Sequence, residues 1–352
     1  GDHAVTIQQR EGEEWTTCHE LRTGKIVWKN AIAGRHSNVL GGIGPRSTPT
    51  IDGGKVYVMH AVGTLRCLDG GDGKTLWEHD LLAEFGLTRA EETNQLSWGR
   101  AASPLIYENA VIVPAGGPAA DRCVTLVAYD KNTGAKLWQG GNRAPAYASP
   151  ALATLDGVPQ ILMVSEDYAG SYDPKTGQLL WEIDWHGSSS GNANASNPRQ
   201  IGPDRVFFSK GYGVGSMLLE VTRKDDAWTT KKLWSSPRSI RTKFSNVVFK
   251  DGFVYGLSEA YLECADLATG KRRWTGSRFG YGQILGVGDF VLVLSEDGEV
   301  ILVEMSPTKE NILTRFPAID GVTWNPPALA GKYLVVRNAK EAACYELPLA
   351  GQ

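Results

Sequence analysis

The chain has 352 residues, with 36 Lys and Arg against 39 Asp and Glu, which gives a formal net charge of −3. This balance provides no general electrostatic attraction to nucleic acid or to an anionic membrane, so we expect no nucleic-acid partner. No run of about eighteen apolar residues occurs, so we expect no membrane span. The 41 Gly and 17 Pro residues predict many turns, as in a large all-β protein.

One short pattern recurs seven times: an acidic or polar residue, a turn that is often Thr-Gly-Lys, and a run that ends in a large aromatic residue. Strong copies occupy 20–28, 69–77, 130–138, 173–181 and 266–274, and degraded copies end at Trp234 and Phe316. The aromatic residues follow one another at intervals of 40 to 61 residues. Four short strands and their turns occupy a similar length in one propeller blade.

A second marker, Ser-Pro or a relative of it, comes before each aromatic run and is followed by an Asp-Gly turn and alternating apolar residues. Segments 47–58 and 245–255 show this hairpin signal. In chain order, each unit therefore predicts an inner strand, a second strand after Asp-Gly, a third that ends at the acidic residue, and an outer strand that ends at the aromatic residue. The glycine of the last turn supplies the left-handed backbone conformation.

The two ends of the chain each carry part of such a unit. Segments 4–8, 14–18 and 26–28 read as a second, third and fourth strand, and 327–330, 333–336 and 343–346 read as a first, second and third. With six complete units between them, we predict an all-β, eight-bladed β-propeller of four-stranded antiparallel blades, with incomplete first and last blades. A seven-bladed ring is the alternative.

We expect a single domain over 1–352, with a partly helical inserted loop at 80–97 that could cover one face. Gly1, Asp2 and His3 resemble a cloning remnant. We therefore expect that residues preceding it have been removed, including an export signal and the strand that would complete the last blade.

Four of the five cysteines, Cys18, Cys67, Cys264 and Cys344, fall at or next to one position of the repeat, just before the acidic residue. Equivalent positions in neighbouring blades lie at least about 10 Å apart, whereas a disulfide needs Cα atoms within about 7 Å. We therefore predict unpaired cysteines that fill buried apolar positions. By the same logic, Trp77 and Trp181 should be mostly buried between adjacent blades.

The links between an outer strand and the next inner strand should converge on one mouth of the central channel. They carry Arg35, His36, Arg46, Trp98, Arg100, Tyr147, Asn192, Asn194, Arg241, Lys243, Phe244, Tyr281, Thr323 and Trp324. Cations, aromatic rings and amides are concentrated here although the whole chain is slightly acidic.

We predict that eight of these residues form one polar pocket of positive potential: Arg46, Trp98, Arg100, Tyr147, Asn194, Arg241, Lys243 and Trp324. Such a pocket suits a small planar anion, because rings stack on it and arginines bind carboxylates through paired hydrogen bonds. The alternative is that these side chains satisfy one another and pair with Glu166, Asp167, Glu259 or Glu296.

The repeat Ala/Cys-x-Asp-x-x-Thr-Gly-Lys-x-x-Trp resembles that of the quinoprotein-like propellers. This family includes the pyrroloquinoline-quinone (PQQ) dehydrogenases and the propeller lipoprotein of the outer-membrane β-barrel assembly machinery. The resemblance covers essentially the whole chain, and 44–49, 98–104 and 211–216 are similar to segments of PQQ-like propellers from environmental bacteria. It implies a periplasmic or extracellular protein, with PQQ and Ca²⁺ as a possible cofactor pair.

Departures from the dehydrogenase pattern leave the enzyme question open. The quinoprotein alcohol dehydrogenases carry a vicinal disulfide, a calcium site and a catalytic Asp, whereas this sequence has no adjacent cysteines and no recognisable calcium motif. We assign no catalytic residue and no metal ligand. Three hypotheses follow: a monomeric propeller that binds a planar anion or a protein partner at the mouth, a PQQ-dependent alcohol or sugar dehydrogenase, and a non-enzymatic scaffold. An exposed apolar patch on the loops would favour the scaffold.

Overall fold

The alternating apolar runs and tight turns form antiparallel sheets, and the chain is an all-β, eight-bladed β-propeller. The computed structural model describes residues 2–117, 122–185 and 193–348. Close contacts divide the chain into unit 1, Gly1–Val206 with Val221–Thr230, and unit 2, Phe207–Glu220 with Lys231–Gln352. The division falls inside the fifth blade, so strands of that sheet contribute residues to both units.

The secondary structure of unit 1 consists of strands and two short helices. Its elements are β1 (His3–Arg10), β2 (Glu13–Glu20), β3 (Ile26–Ala33), β4 (Ser37–Asn38), β5 (Gly42–Ile43), β6 (Thr50–Asp52), β7 (Lys55–Met59), β8 (Thr64–Asp69), β9 (Thr75–Asp80), α1 (Leu81–Glu84), α2 (Arg89–Gln95), β10 (Leu105–Tyr107), β11 (Ala110–Gly116), β12 (Val124–Asp130), β13 (Lys136–Gly140), β14 (Ala151–Leu155), β15 (Val158–Val164), β16 (Tyr168–Tyr172), β17 (Leu179–Asp184) and β18 (Arg199–Ile201).

The remaining strands complete the fifth blade and unit 2. The fifth blade adds β19 (Arg205–Lys210), β20 (Gly215–Lys224) and β21 (Ala227–Ser236). Unit 2 contains β22 (Val247–Lys250), β23 (Phe253–Ser258), β24 (Tyr261–Asp266), β25 (Arg272–Arg278), β26 (Gln283–Val287), β27 (Phe290–Leu294), β28 (Glu299–Glu304), β29 (Asn311–Pro317), β30 (Ala328–Ala330), β31 (Tyr333–Arg337) and β32 (Ala342–Glu346).

Strands pair in sequence order within every blade. Among the described residues, six sheets have four strands, beginning at β6, β10, β14, β18, β22 and β26, and two sheets, β1–β3 and β30–β32, have three. A separate two-stranded hairpin, β4–β5, lies between the first and second blades in the chain. The predicted count, six complete units flanked by two that are one strand short, is confirmed.

The cross-strand register confirms that the repeat marks one structural position. In the five strong copies, the aromatic residue faces a small residue on the third strand, and a register shift follows that small residue directly. The pairs are Cys18–Trp28, Cys67–Trp77, Ala128–Trp138, Ser171–Trp181 and Cys264–Trp274.

The last degraded copy was placed two residues too far along the chain. Leu302 precedes the register shift of its sheet and faces Thr314, whereas Phe316 faces Val300. No aromatic residue occupies this register position, and Phe316 is the nearest aromatic residue along the chain. Thr314, not Phe316, occupies the place of the repeated tryptophan.

The repeated tryptophans connect neighbouring blades. In five cases the indole N–H donates to a backbone carbonyl of the next blade: Trp28 to Gly70 at 2.9 Å, Trp77 to Lys131 at 3.3 Å, Trp138 to Pro174 at 3.2 Å, Trp234 to Leu267 at 2.9 Å and Trp274 to Ser306 at 2.9 Å. Trp77 is half-buried against Tyr57 and Tyr129 of two successive blades. Trp181 is 5% exposed and donates to Gln160 of its own sheet instead. Both are mostly buried, as predicted.

The cysteines form no disulfides, as predicted, but one of them is not buried. Cys18, Cys67 and Cys264 lie in the core, whereas Cys344 on β32 is exposed. Among the described residues, β32 pairs with β31 alone. The prediction that Cys344 fills a buried position is therefore wrong.

Candidate functional site

The β4–β5 hairpin presents apolar side chains to solvent at its tip. Val39 is fully exposed, Leu40 is 75% exposed and Ile43 is 55% exposed. The hairpin belongs to the link between the first two blades, one of the links in which the sequence predicted the site. Sequence reasoning selected the charged and aromatic residues of this link and missed its apolar tip.

Arg46 holds the base of this hairpin through backbone carbonyls. Its guanidinium donates to Gly41 at 2.6 Å, to Gly44 at 3.1 Å and to Trp98 at 2.7 Å. Burial lowers the pKa of Arg46, and the phenol of Tyr147 opposes this effect. Because three carbonyls occupy the guanidinium, its main role in the structure is to fix the loop.

Asn38 provides a second clamp on the same loop. Its amide donates to the Ser97 carbonyl at 3.0 Å, and its Oδ1 accepts from the backbone N–H groups of Leu40 at 2.9 Å and Gly41 at 3.2 Å. A side chain at Gly41 would collide with Arg46 and with the Trp98 ring, so only glycine fits there. The exposed tip is therefore held in one conformation by both clamps.

Three more of the predicted site residues adjoin this clamp. The rings of Trp98 and Tyr147 meet edge to face with centroids 5.2 Å apart. Asn194 accepts the backbone N–H of Tyr147 at 2.9 Å, and its amide donates to the carbonyls of Ser165 and Glu166 at 2.9 and 2.7 Å. Burial raises the pKa of Tyr147, against the effect of its hydrogen bond with Ser97. Asn192 lies outside the described residues.

Arg100 is buried and forms an ion pair. It is 3% exposed, and its Nε and Nη2 donate to the Glu92 carboxylate at 2.6 and 3.1 Å, while Nη1 donates to the Pro114 carbonyl at 2.9 Å. Glu92 lies on α2, which begins after the N-cap Thr88. The sequence indicated helical structure in this insertion but not the burial of Glu92. The carboxylates considered as partners from the sequence, Glu166, Asp167, Glu259 and Glu296, do not pair with Arg100 in the described structure.

A second buried polar pair lies in unit 1 without any signal in the sequence. His60 Nδ1 lies 3.1 Å from Glu14 Oε2, and the same oxygen accepts from the Ala61 N–H at 3.0 Å. Both side chains are fully buried. Neither residue lies in a recognisable motif, so only the fold reveals their contact.

In unit 2, two of the predicted pocket residues, Lys243 and Trp324, contact or belong to an aromatic cluster. Lys243 Nζ lies 3.2 Å from Glu259 Oε2 and 3.0 Å from the Tyr281 hydroxyl. Trp324 donates to Glu296 at 2.8 Å, and Phe244 packs against the rings of both Tyr281 and Trp324. These two glutamates were among the carboxylate partners considered from the sequence.

The predicted site cations of unit 2, Lys243 and Arg241, differ in their hydrogen-bond partners. Burial opposes the charge of Lys243, but hydrogen bonds with Tyr281 and Glu259 outweigh it and raise the pKa of the amine. Arg241 is half-buried, and its Nε has no hydrogen-bond partner among the described residues. Phe244 and Trp324 are 36% and 37% exposed, and Val322 beside them is 61% exposed.

The cavities near these residues are small. One of about 10 Å³ is lined by Lys243, Phe244 and Tyr281 in unit 2, and another of about 10 Å³ is lined by Arg100 and Pro114 in unit 1. Each has the size of a single water molecule. No group of three potential metal ligands occurs in the part of the chain that the structure describes.

The eight predicted site residues thus fall into two groups. Arg46, Trp98, Arg100, Tyr147 and Asn194 lie in unit 1, and Arg241, Lys243 and Trp324 lie in unit 2. In unit 1, contacts connect Arg46, Trp98, Tyr147 and Asn194, and in unit 2 an aromatic cluster connects Lys243 with Trp324. Their convergence into one anion-binding pocket stays a prediction.

The fold and its tryptophan repeat define a PQQ-like β-propeller. More specifically, residues 12–276 match the family described as "Outer membrane protein assembly factor BamB", and the chain belongs to that family. It is 22% identical over 263 residues to the outer membrane protein assembly factor BamB of Moranella endobia (strain PCIT). That alignment covers 73% of this chain and 62% of the relative's length.

Solved structures share the fold at low sequence identity. BamB from Moraxella catarrhalis superimposes with a TM-score of 0.60 and 15% identity, over 97% of this chain and 92% of that one. A europium-containing methanol dehydrogenase gives a TM-score of 0.51 and 13% identity, over 96% and 81%. At these identities the similarity shows a common fold alone. No helix in the described ranges has the length and hydropathy that a membrane crossing requires.

Proposed function

We propose that this chain is a non-catalytic scaffold that binds a protein partner through the β4–β5 hairpin. The observation that carries this proposal is the exposure of Val39, Leu40 and Ile43 on a hairpin that the rest of unit 1 holds in place. Exposed apolar clusters on folded domains mark interaction surfaces more often than isolated apolar residues do.

The rigidity of the hairpin supports a binding role. Arg46 and Asn38 together make six hydrogen bonds of 3.2 Å or less within this loop and to the 97–98 backbone, so the tip is ordered before a partner arrives. A preorganised loop avoids most of the entropy loss that accompanies binding. Burying one such side chain contributes roughly 1.5–3 kcal/mol.

The arrangement of the charged groups favours this proposal over capture of a planar anion. Arg100 is satisfied by Glu92, Lys243 by Glu259 and Arg46 by carbonyls. An anion would have to displace these partners, whereas a partner that covers the hairpin tip displaces only water. Phe244, Val322 and Trp324 form a second exposed apolar group, in unit 2, and extend the same chemistry.

The family suggests where the scaffold acts. Its matching relatives carry the name outer membrane protein assembly factor, so the proposed partner is a protein of the outer-membrane assembly machinery, and the proposed location is periplasmic or extracellular. The chain covers less than two thirds of the curated relative's length, so this role is part of the proposal. The likeness to a methanol dehydrogenase is one of fold and adds no support for an oxidoreductase.

Coprecipitation with the barrel-assembly protein of the source organism tests the proposal. The variant Val39→Ser/Leu40→Ser/Ile43→Ser should recover at least tenfold less of that protein than the unmodified chain does. A matched control, Ile51→Ser/Leu137→Ser/Leu152→Ser, removes three exposed apolar side chains from strands of the same unit and should recover the normal amount.

Equal recovery by both triple variants would refute the hairpin as the binding surface. Both variants should unfold at the same temperature as the unmodified protein, because exposed side chains contribute little to stability. A variant that unfolds early is replaced by the single change Leu40→Ser, so that a loss of binding is not confused with a loss of folding.

A further inference from the structure

The glycine of the repeated turn between the third and fourth strands of a blade, Thr-Gly in most copies and Asp-Gly at Gly73, is in contact with a tryptophan ring. A Cβ atom built on Gly73, Gly134, Gly177 or Gly270 would lie within 3 Å of the ring of Trp28, Trp77, Trp138 or Trp234, respectively. In each case the tryptophan comes from the preceding blade and covers the turn. All four glycines are buried as a result.

The same turns also accept the indole proton. The acceptor is in each case the carbonyl of the residue three positions before the covered glycine. These residues are Gly70, Lys131, Pro174 and Leu267. One turn therefore binds a tryptophan in two ways: its glycine lets the ring approach the backbone, and its carbonyl accepts the N–H. Trp181 has no such partner turn, since 224–227 in the next blade contains no glycine, and its N–H goes to Gln160.

The first blade carries the same turn with its surface uncovered. Gly24 has φ +67°, like Gly73 at +73° and Gly177 at +72°, and its N–H donates to the Glu20 carbonyl at 2.8 Å as that of Gly73 does to Asp69 at 2.9 Å. Within the described residues, however, no heavy atom lies within 4 Å of a Cβ built on Gly24, and the residue is exposed. Leu21 stands three residues before Gly24, so its carbonyl is equivalent to the four carbonyls that accept an indole N–H in the other turns.

A second recurring contact involves the side chain of the residue two positions after the tryptophan. Asn30, two residues after Trp28, donates to the Gly73 carbonyl at 2.9 Å. His79, two residues after Trp77, lies 2.7 Å from the Gly134 carbonyl. A strand that covers one of these turns therefore presents Trp and then, two positions later, a side chain that can donate a hydrogen bond.

We propose that the Gly24 turn binds an extended polypeptide strand that carries Trp-x-Asn or Trp-x-His. The indole would cover Gly24 and donate to the Leu21 carbonyl, and the Asn or His would donate to the Gly24 carbonyl. The exposed Ile26 and Val27, each 49% exposed, lie beside this turn and add apolar surface. Strand addition to exposed β-structure is a common mode of peptide recognition.

The probe is a dye-labelled synthetic peptide of residues 25–33, because Trp28 and Asn30 of this segment make both contacts on the Gly73 turn. Fluorescence anisotropy should show saturable binding to the full chain. The same peptide with Trp28→Ala should bind at least tenfold more weakly. Hydrogen exchange in 20–26 should slow when the unmodified peptide is present.

Two protein variants locate the site. Gly24→Asn keeps the left-handed conformation, which Asn tolerates, but fills the surface with a side chain, and it should weaken peptide binding at least tenfold. Gly157→Asn is the matched control: its φ is +76° and its Cβ position is also open, but it lies in the turn between β14 and β15, the first two strands of a blade. This control variant should bind the peptide normally. The variant Val39→Ser/Leu40→Ser/Ile43→Ser should also bind it normally, so this test is independent of the proposed function.

Three outcomes would overturn the inference. One is the absence of saturable binding, and another is binding that the Trp28→Ala or Gly24→Asn changes do not weaken. The third is concentration-dependent dimerisation that Gly24→Asn abolishes, because a second copy of the chain would then be the occupant.

Discussion

The Thr-Gly turns and the links between blades follow different rules in this protein. At the turns, the same residue types recur and make the same contacts, as Gly73 with Trp28 and Gly177 with Trp138 show. In the links, each side chain has its own partner: Arg46 binds carbonyls, Arg100 binds Glu92 and Lys243 binds Glu259. The turns hold the blades together, and the links are where one blade can differ from another.

Loss of a repeated tryptophan should have the largest effect. Trp77→Ala removes a ring packed between Tyr57 and Tyr129 and a hydrogen bond to the next blade, so it should lower the free energy of unfolding by roughly 3–5 kcal/mol. Denaturant unfolding measures this change. A loss under about 1 kcal/mol would mean that the turns do not stabilise the contact between blades.

Breaking the buried ion pair of the 80–97 insertion should cost nearly as much. Arg100→Ala leaves the Glu92 carboxylate buried without its cation, a change that typically costs about 3–5 kcal/mol. The control is Glu78→Ala, which removes a half-exposed partner of Arg66 and should cost at most about 1 kcal/mol. Equal losses in the two variants would contradict the contrast between buried and exposed pairs.

Two glycines in equivalent turns separate backbone strain from steric overlap. Gly24→Ala should cost only the strain of a left-handed alanine, about 1–2 kcal/mol. Gly73→Ala adds an overlap with the Trp28 ring and should cost a further 1–3 kcal/mol or so. If thermal or denaturant unfolding gives the same loss for both, the ring does not press on the Gly73 turn.

The smallest expected effect is a pH dependence at His36. Burial, and then the positive charge of Arg46, lower the pKa of this imidazole below its ordinary value near 6.5. The unfolded chain therefore takes up this proton at a higher pH than the folded chain, and stability falls as the pH drops through 6.5 toward the folded-state value. The free energy of unfolding should decline less between pH 7.5 and 5.5 in His36→Asn. Identical slopes would contradict the direction of the shift.

The repeat made the blade count and the register of the third and fourth strands predictable, because each copy repeats the same pairing, as in Cys67–Trp77. The places where prediction was wrong have local causes. In the seventh blade a threonine, Thr314, occupies the register position of the repeated tryptophan, so the nearest aromatic residue, Phe316, was mistaken for it. Cys344 is exposed although it shares the repeat position of the buried cysteines.

The partners of the site residues were harder to predict for a different reason. Arg46 binds backbone carbonyls, which every residue possesses, so no sequence pattern marks them. Glu92 meets Arg100 through the fold of the segment from α2 to residue 100, and neither residue lies in a motif that marks the pair. The apolar tip at Val39 and Leu40 is a short run that sequence alone cannot distinguish from buried residues.

Site-specific photo-crosslinking in the source organism tests the partner-binding hairpin most directly. A photoreactive amino acid at Leu40 should give one dominant crosslinked product with a protein of the outer-membrane assembly machinery. The same group at Leu137, a half-exposed position on β13, should give none. Equal crosslinking from both positions, or no product from Leu40 in a correctly folded protein, would contradict the assignment of this hairpin as the binding surface.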